Sequence, residues 1–238
     1  MTFRRRMRNM EPQITLIEAA LFDLDGVIVD TARYHYAAWR RLAEELGFRF
    51  TEHDNERLKG VSRMQSLEIL LEVGGLVGRF SAAEKERMAE RKNRWYVEYI
   101  SQMTPREILP GVLPFLAELR KDGMRIALGS ASKNTGLILE RLQLGRWFDA
   151  VVDGTMVVRT KPDPEVFITC AERLGGVPPQ QCVVFEDAVA GVEAAQAAQM
   201  YSVGVGDSRL LCEADCVITG FLGVRWRDLK MKLLAVKR

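Results

Sequence analysis

Residues 20–31 read ALFDLDGVIVDT, and this stretch decides the fold. An apolar run leads to two carboxylates, Asp23 and Asp25, which stand two residues apart and are followed by Gly26. A near-continuous apolar run is typical of a parallel strand that is buried on both faces. Ligands of open α/β sheets bind beyond the carboxyl ends of such strands. Because residues two apart on a strand share a face, we expect both carboxylates to enter one site at a sheet edge.

Two neighbouring carboxylates support two kinds of chemistry. Their oxygens suit Mg²⁺, a hard cation that often bridges to phosphate, and one of them can be a covalent nucleophile that becomes an aspartyl-phosphate. The competing interpretation is an ordinary acidic turn, since Asp and Gly are common turn residues. The rest of the chain has to decide between the two.

The composition is that of an ordinary globular protein, and the net charge does not favour a strongly charged partner. The chain has 238 residues, of which 47% are hydrophobic and 28% charged, and its formal net charge is +2. Such a small charge gives no reason to expect binding to nucleic acid or to a membrane surface, and no apolar run approaches the roughly 20 residues of a bilayer span. The four cysteines show no C-x-x-C pattern; we predict reduced, structural thiols in a cytoplasmic protein. Cys212 and Cys216 have helical spacing, but no second pair completes a zinc site.

Residues 1–18 are predicted to be a mobile N-terminal tail. The first ten residues contain four arginines, and Met10 is an alternative start. A secretory signal is disfavoured because Glu11 and Glu18 interrupt the apolar part.

Residues 32–105 carry helical periodicity and no strand pattern. Leucines at positions 42 and 46 lie on one predicted helix that ends at Gly47, and a capping-box sequence at 81–84 predicts a long charged helix to about residue 103. A helix-only segment between strands is best explained as an inserted cap domain.

From residue 106 to 238, together with residues 19–31, the pattern is that of an α/β core. Strands alternate with helices, which predicts parallel βαβ units in a doubly wound, Rossmann-like and mostly parallel sheet. The predicted strands span 125–130, 148–152, 182–185, 201–205 and 216–218, and the predicted helices span 112–121, 133–144, 164–174 and 189–199.

Three further segments place polar residues at a strand end or at a helix start. The second strand runs into Ser130 at the start of a helix, where free backbone N–H groups bind phosphate. Lys161 stands before a proline-started helix, and the strand at 182–185 leads directly to Glu186 and Asp187. Taken singly, each has an ordinary explanation: a helix cap, a solvated lysine, and acids at a helix start.

These four motifs, in this order, resemble the haloacid dehalogenase superfamily, whose members mostly transfer phosphoryl groups through an aspartate. The resemblance covers residues 19–220 and implies that Asp23 is the nucleophile. It also implies that Ser130 and Lys161 hold the transferring phosphate. Mg²⁺ would be held by Asp23, the Asp25 carbonyl, Glu186 and Asp187.

Segments 30–39, 58–63, 91–93 and 130–134 resemble the β-phosphoglucomutase family within that superfamily. The resemblance implies interconversion of β-D-glucose 1-phosphate and β-D-glucose 6-phosphate through bound β-glucose 1,6-bisphosphate, with Asp25 as general acid/base. Arg63 and residues 132–134 would hold the distal phosphate, His35 and Lys92 would position Asp25, and Trp39 with residues 60–62 would line the sugar pocket. The implied substrate-binding residues are Thr31, His35, Trp39, Gly60, Val61, Ser62, Arg63, Lys92, Ser132, Lys133 and Asn134.

Each of these cap residues also has an interpretation without a function. His35 would be a solvated helix residue, Trp39 a core residue and Arg63 a surface charge. Two other functions compete with the mutase. A sugar-phosphate or phosphoglycolate phosphatase would use Asp23 identically but let water attack, and has less use for Arg63. A non-catalytic sugar-phosphate sensor has no need of an intact nucleophile. We expect small sugar phosphates as partners, and a monomer.

Overall fold

The computed structural model describes residues 16–58 and 61–236, which form one parallel sheet with helices on both faces. The strands are β1 (Ala19–Phe22), β2 (Arg125–Gly129), β3 (Ala150–Val152), β4 (Cys182–Glu186), β5 (Tyr201–Val205) and β6 (Cys216–Ile218). The helices are α1 (Ala32–Glu45), α2 (Glu52–Glu56), α3 (Arg63–Val73), α4 (Ala82–Ile100), α5 (Val112–Lys121), α6 (Thr135–Arg141), α7 (Glu165–Arg173), α8 (Val189–Ala197) and α9 (Trp226–Ala235). Short 3-10 turns lie at Pro105–Glu107, Gly145–Trp147 and Pro179–Gln181.

The strand order is β3-β2-β1-β4-β5-β6, and every neighbouring pair is parallel. This confirms the predicted doubly wound sheet. The order reverses at β1, which pairs with β2 on one side and with β4 on the other. A crevice opens at such a switch point beyond the carboxyl ends of the strands, which is where residues 23–26 begin.

The two faces of the sheet follow the period-2 alternation of its strands. Ala20 and Phe22 of β1 pack in the larger cluster, together with α5 and α9, whereas Ala19 and Leu21 pack in the second cluster with α7 and α8. Phe22 stacks on Phe185 with ring centroids 4.5 Å apart. Both faces of the central strand are therefore fully covered, as its apolar run predicts.

Helices α1 to α4 lie between β1 and β2 in the chain. The predicted capping box is confirmed, because the Ser81 N–H donates to Glu84 Oε2 (2.8 Å) and the Glu84 N–H donates to Ser81 Oγ (3.4 Å). The segment that leads from β1 into these helices and the segment that returns from them run side by side, because Val29 pairs with Ile108 in an antiparallel bridge. The division into core and cap stays a prediction.

Side-chain contacts of Glu107 also connect the returning segment to the start of α1. The Tyr34 hydroxyl donates to Glu107 Oε2 at 2.5 Å, and the Arg33 guanidinium contacts the same oxygen. The N–H of Leu109 adds a backbone bond to the carbonyl of Ile28 (2.9 Å). Residues at the base of α1 are thus tied to the segment that re-enters the sheet.

The structure adds two features to the predicted elements. Helix α9, which the sequence analysis does not contain, buries Trp226, whose Nε1 donates to Asp122 Oδ2 at 2.9 Å. The packed core also begins inside the predicted tail, since Ile17 is buried and the Glu18 N–H donates to the carbonyl of Gln181 (2.8 Å). Residues 1–15, and with them Met10, lie outside the described residues.

All four cysteines are free, and Cys170 and Cys182 are buried. Burial raises the pKa of both thiols to about 12. In the described part of the chain, no helix combines the length and apolarity that a bilayer crossing requires.

Candidate active site

Three carboxylates meet at the carboxyl ends of β1 and β4. The Asp23 N–H donates to the carbonyl of Phe185 (3.0 Å), which fixes the end of one strand against the other. Ligand oxygens of Asp23, Glu186 and Asp187 all lie within 4.8 Å of one another. The sequence predicted this convergence from two separate acidic strand ends.

Two glycines make room for this acidic cluster. Gly26 has φ +75°, a conformation that L side chains rarely adopt, and a Cβ there would lie 2.0 Å from Asp187 Oδ2. A Cβ at Gly191, in α8, would lie 1.9 Å from Glu186 Cδ. The backbone thus approaches both acids more closely than any other residue type permits.

Lys161 lies between two of the acids. Its ammonium contacts Asp23 Oδ1 and Glu186 Oε1, and lies 3.4 Å from the carbonyl oxygen of Gly129. Burial alone would lower the pKa of Lys161, but the charges of Asp23 and Glu186 outweigh it and raise that pKa. The lysine is therefore a fixed positive charge against Asp23, next to where the resemblance implies that it holds the transferring phosphate.

Asp25 occupies a different environment from Asp23. Its Oδ1 accepts a hydrogen bond from the hydroxyl of Thr31, which is fully buried. Burial, reinforced by the Asp23 charge, raises the pKa of Asp25 to about 7, although the Thr31 hydrogen bond opposes the shift. A carboxyl group with a pKa near neutrality is suited to donate and accept protons in turn.

The acidic cluster fits a hard divalent cation. Burial and then the charges of Asp23, Glu186 and Asp25 raise the pKa of Asp187 to about 8. Burial also raises the pKa of Glu186, against the opposing charge of Lys161. Two buried carboxylates and the half-buried Asp187 lie together while one lysine contacts the first two, so their unneutralised charge favours a bound cation, and the all-oxygen donor set matches Mg²⁺.

This charge imbalance predicts an unusual pH dependence of stability for the metal-free protein. A carboxyl whose pKa is higher in the folded than in the unfolded state stabilises the fold at low pH, and this contribution is lost as the pH rises toward the folded value. Because the pKa of Asp187 is raised to about 8, we expect the melting temperature in chelator to fall from about pH 5 to about pH 8. Added Mg²⁺ should raise the melting temperature more at the higher pH.

The matched variant is Asp187→Asn, which cannot ionise. Both the pH slope and the Mg²⁺-dependent rise in melting temperature should become smaller in it. Equal slopes in wild type and variant would show that Asp187 does not carry the effect.

On α4, Lys92 is buried among aromatic rings. Its Nζ lies 2.7 Å from His35 Nδ1, 4.5 Å from the Trp39 ring centroid and 4.9 Å from that of Tyr96. Burial, followed by the Arg63 charge, lowers the pKa of Lys92. Burial, Lys92 and Arg63 likewise lower the pKa of His35. Both shifts favour the uncharged form of the imidazole and of the amine.

The loop after β2 carries the predicted phosphate-binding hydroxyls. The Ser132 N–H donates to Ser130 Oγ (3.1 Å), and the Asn134 N–H donates to Ser132 Oγ (3.2 Å). Helix α6 begins at Thr135, two residues later than predicted. Ser130 is buried next to β2, whereas Lys133 is exposed.

Several residues implied by the family resemblance have contacts other than the expected ones. Thr31 is bonded to Asp25 and is fully buried, so it faces that carboxyl group and not an open pocket. Trp39 is a core residue beneath Lys92, the alternative weighed for it above. The Ser62 hydroxyl caps α3 by accepting from the Gln65 N–H (3.3 Å). Val61 is exposed, and Gly60 lies outside the described residues.

Two residues of α4 were not among the predicted site residues: Tyr96, and Asn93, which lies in the 91–93 segment that carries the resemblance but was given no role. Tyr96 stacks on His35 with centroids 4.0 Å apart and is fully buried. Asn93 accepts from Asn134 Nδ2 at 3.1 Å. The spacing of Lys92 and Tyr96, four residues apart on one helix face, was the available signal for the first.

Comparisons with known proteins agree with this geometry. The family model for haloacid dehalogenase-like hydrolases matches residues 17–199. The β-phosphoglucomutase of Bacillus subtilis strain 168 is 43% identical over 218 residues, or 92% of this chain and 94% of that protein. A crystal structure of the β-phosphoglucomutase from Clostridium difficile matches with a TM-score of 0.86 at 43% identity, over 92% of this chain and 97% of that one.

A phosphatase is also among the relatives. The phosphorylated carbohydrates phosphatase of Thermotoga maritima is 35% identical over 84% of this chain and 93% of that protein. The site geometry therefore has to be compared with both a mutase and a phosphatase.

Proposed function

The chain belongs to the haloacid dehalogenase-like hydrolase family, and we propose that within it the protein is a β-phosphoglucomutase. It would interconvert β-D-glucose 1-phosphate and β-D-glucose 6-phosphate by way of β-glucose 1,6-bisphosphate. The similarity to the mutases of Bacillus subtilis and Clostridium difficile over nine-tenths of the chain supports this.

The observation that carries the proposal is the presence of cationic groups on both sides of the site. Lys161 is bound to Asp23 on the core side. Arg63 begins α3 on the cap side, and its charge lowers the pKa values of Lys92 and His35 after the effect of burial. A substrate with two phosphates needs a cation at each end, whereas a phosphatase acting on a monophosphate needs only the first.

In the first half-reaction, a carboxylate oxygen of Asp23 attacks the phosphorus of the bisphosphate. The new Asp23 O–P bond forms as the P–O bond to the sugar breaks, and the departing sugar oxygen takes the proton of Asp25. Lys161 and Ser130 would hold the transferring phosphoryl group during this step. The pKa of Asp25, about 7, allows it to hold that proton at neutral pH.

The second half-reaction reverses these roles. A hydroxyl of the next sugar phosphate gives its proton to the Asp25 carboxylate and attacks the aspartyl-phosphate, which returns Asp23 to its free form. We propose that Asp23, Glu186 and Asp187, with the Asp25 carbonyl, hold Mg²⁺. When bound, the ion reduces the repulsion between the anionic nucleophile and the phosphoryl group.

The acceptor must be a sugar and not water, which assigns a task to the cap. Closure of a lid excludes solvent from the reacting group. Thr31 links the two parts: it precedes α1 directly and donates to Asp25. The acid/base is therefore held by the base of the first cap helix.

The testing experiment is a coupled assay with β-glucose 1-phosphate, Mg²⁺ and a trace of glucose 1,6-bisphosphate. Glucose 6-phosphate and free phosphate are followed in parallel. We expect glucose 6-phosphate to form with little release of phosphate. Release of phosphate without glucose 6-phosphate would replace the mutase by a phosphatase, the activity named for the Thermotoga maritima relative.

We further propose that the substrates are small sugar phosphates, that the protein is a monomer and that it works in the cytoplasm. The four free cysteines, two of them buried, are consistent with a reducing compartment. A monomer is checked by light scattering at the concentration of the assay.

A further inference from the structure

A side-chain hydrogen bond connects α4 to the loop that follows β2. Asn134 Nδ2 donates to Asn93 Oδ1 at a distance of 3.1 Å. Asn93 follows Lys92 on α4, and Asn134 directly precedes α6 in the loop assigned to the distal phosphate. No step of the proposed mechanism accounts for Asn93.

The chemistry of the amide group gives this contact a consequence. A carboxamide has an oxygen that only accepts and a nitrogen with two N–H donors. Asn93 Oδ1 engages one N–H of the Asn134 nitrogen and leaves the other available for an anion. With this bond in place, the Asn134 side chain cannot turn its oxygen toward a phosphate. That orientation would be repulsive, because both groups carry negative charge on oxygen.

The rest of Asn134 is already fixed. Its backbone N–H donates to Ser132 Oγ (3.2 Å), and the following Thr135 hydroxyl donates to the Ser132 carbonyl (2.8 Å). Only the orientation of the Asn134 side-chain amide is not fixed by these bonds. It is fixed by Asn93, which lies on α4.

We propose that Asn93 is a positioning residue that acts through Asn134: it holds the Asn134 amide nitrogen toward the distal phosphate of a sugar bisphosphate, and does so when the cap is closed. The inference rests on the proposed function and deepens it. The same hydrogen bond favours closure of the cap and orients the Asn134 N–H group toward the distal phosphate. Bisphosphate binding and cap closure therefore stabilise each other, as linkage requires.

The test is a double-mutant cycle of Asn93→Ala and Asn134→Ala, built on Asp23→Asn so that no turnover occurs. Calorimetry measures the dissociation constant of glucose 1,6-bisphosphate for each protein. We expect Asn93→Ala alone to weaken binding roughly three- to tenfold, the range of one hydrogen bond, and to add little when Asn134 is already alanine. Arg94→Ala, an exposed neighbour on α4, should leave binding unchanged.

A second measurement uses the active protein. Asn93→Ala should release a larger share of phosphate to water per glucose 6-phosphate formed, with an unchanged melting temperature. Additive losses in the cycle, or no loss from Asn93→Ala, would overturn the inference while the mutase stands. If wild type forms no glucose 6-phosphate but the cycle is non-additive, the mutase proposal fails and Asn93 keeps its assigned role.

Discussion

Replacing Asp23 by Asn is expected to lower mutase turnover by about 10⁴-fold or more, because the amide cannot form the covalent phosphoenzyme. The fold should be retained. Asn has nearly the same shape, and the substitution removes one negative charge from a cluster that raises the pKa of Asp187 to about 8. We therefore expect a melting temperature in chelator that equals or exceeds that of wild type at neutral pH.

Two measurements check this prediction. Intact-mass spectrometry after incubation with a phosphoryl donor and Mg²⁺ should show covalent phosphate on wild type and none on Asp23→Asn. Asp30→Asn is the matched control: this exposed carboxylate accepts from the Ala32 N–H (3.0 Å), a bond that Asn can also make. Turnover near the wild-type rate in Asp23→Asn would remove the nucleophile assignment.

Lys161→Met is expected to lower both activity and stability. The variant loses the cation that contacts Asp23 and Glu186. Turnover should fall on the order of 10³-fold, since a fixed charge at the transferring phosphate is lost. Two buried carboxylates also lose their partner, which typically costs about 3 kcal/mol or more in the free energy of unfolding.

Combination with Glu186→Gln tests whether the lost stability comes from a buried carboxylate without its partner. Removing the charge of Glu186 should restore much of the stability of Lys161→Met, whereas turnover should remain low. Lys121→Met, at the exposed end of α5, controls for the loss of a lysine. Denaturant unfolding in chelator measures the stabilities, and recovery of turnover in the double variant would contradict a catalytic role for Lys161.

The sheet was predictable because its strands are buried on both faces. Such strands read as apolar runs with sharp polar ends, and the predicted bounds of β5 and β6 are confirmed without change. Helix α9 was missed although Trp226, Leu229 and Leu233 have helical spacing and all are buried. Its first turn lacks a capping side chain, so the usual signal for a helix start is absent.

The core of the site was predictable for a related reason: the ends of parallel strands meet at one edge, so acids on β1 and β4 had to converge. The cap side was not. Whether Trp39 lines a pocket or lies beneath Lys92 depends on how α1 packs against α4, and helical periodicity does not contain that information. The bond between Asn93 and Asn134 likewise depends on how two elements meet in space.

Strand β1 is central in the sheet but first in the chain, so its pairing during synthesis has to wait for later segments. Ala19 pairs with Arg125 on one side and with Cys182 on the other, so this strand leaves the ribosome long before either neighbour exists. Loop-closure entropy delays such distant pairings, and an unpaired apolar strand is prone to aggregate. Asp23 and Asp25 thus follow a strand whose two partners are synthesised late. In a nascent chain that stops before β4, one edge of β1 has no strand to pair with.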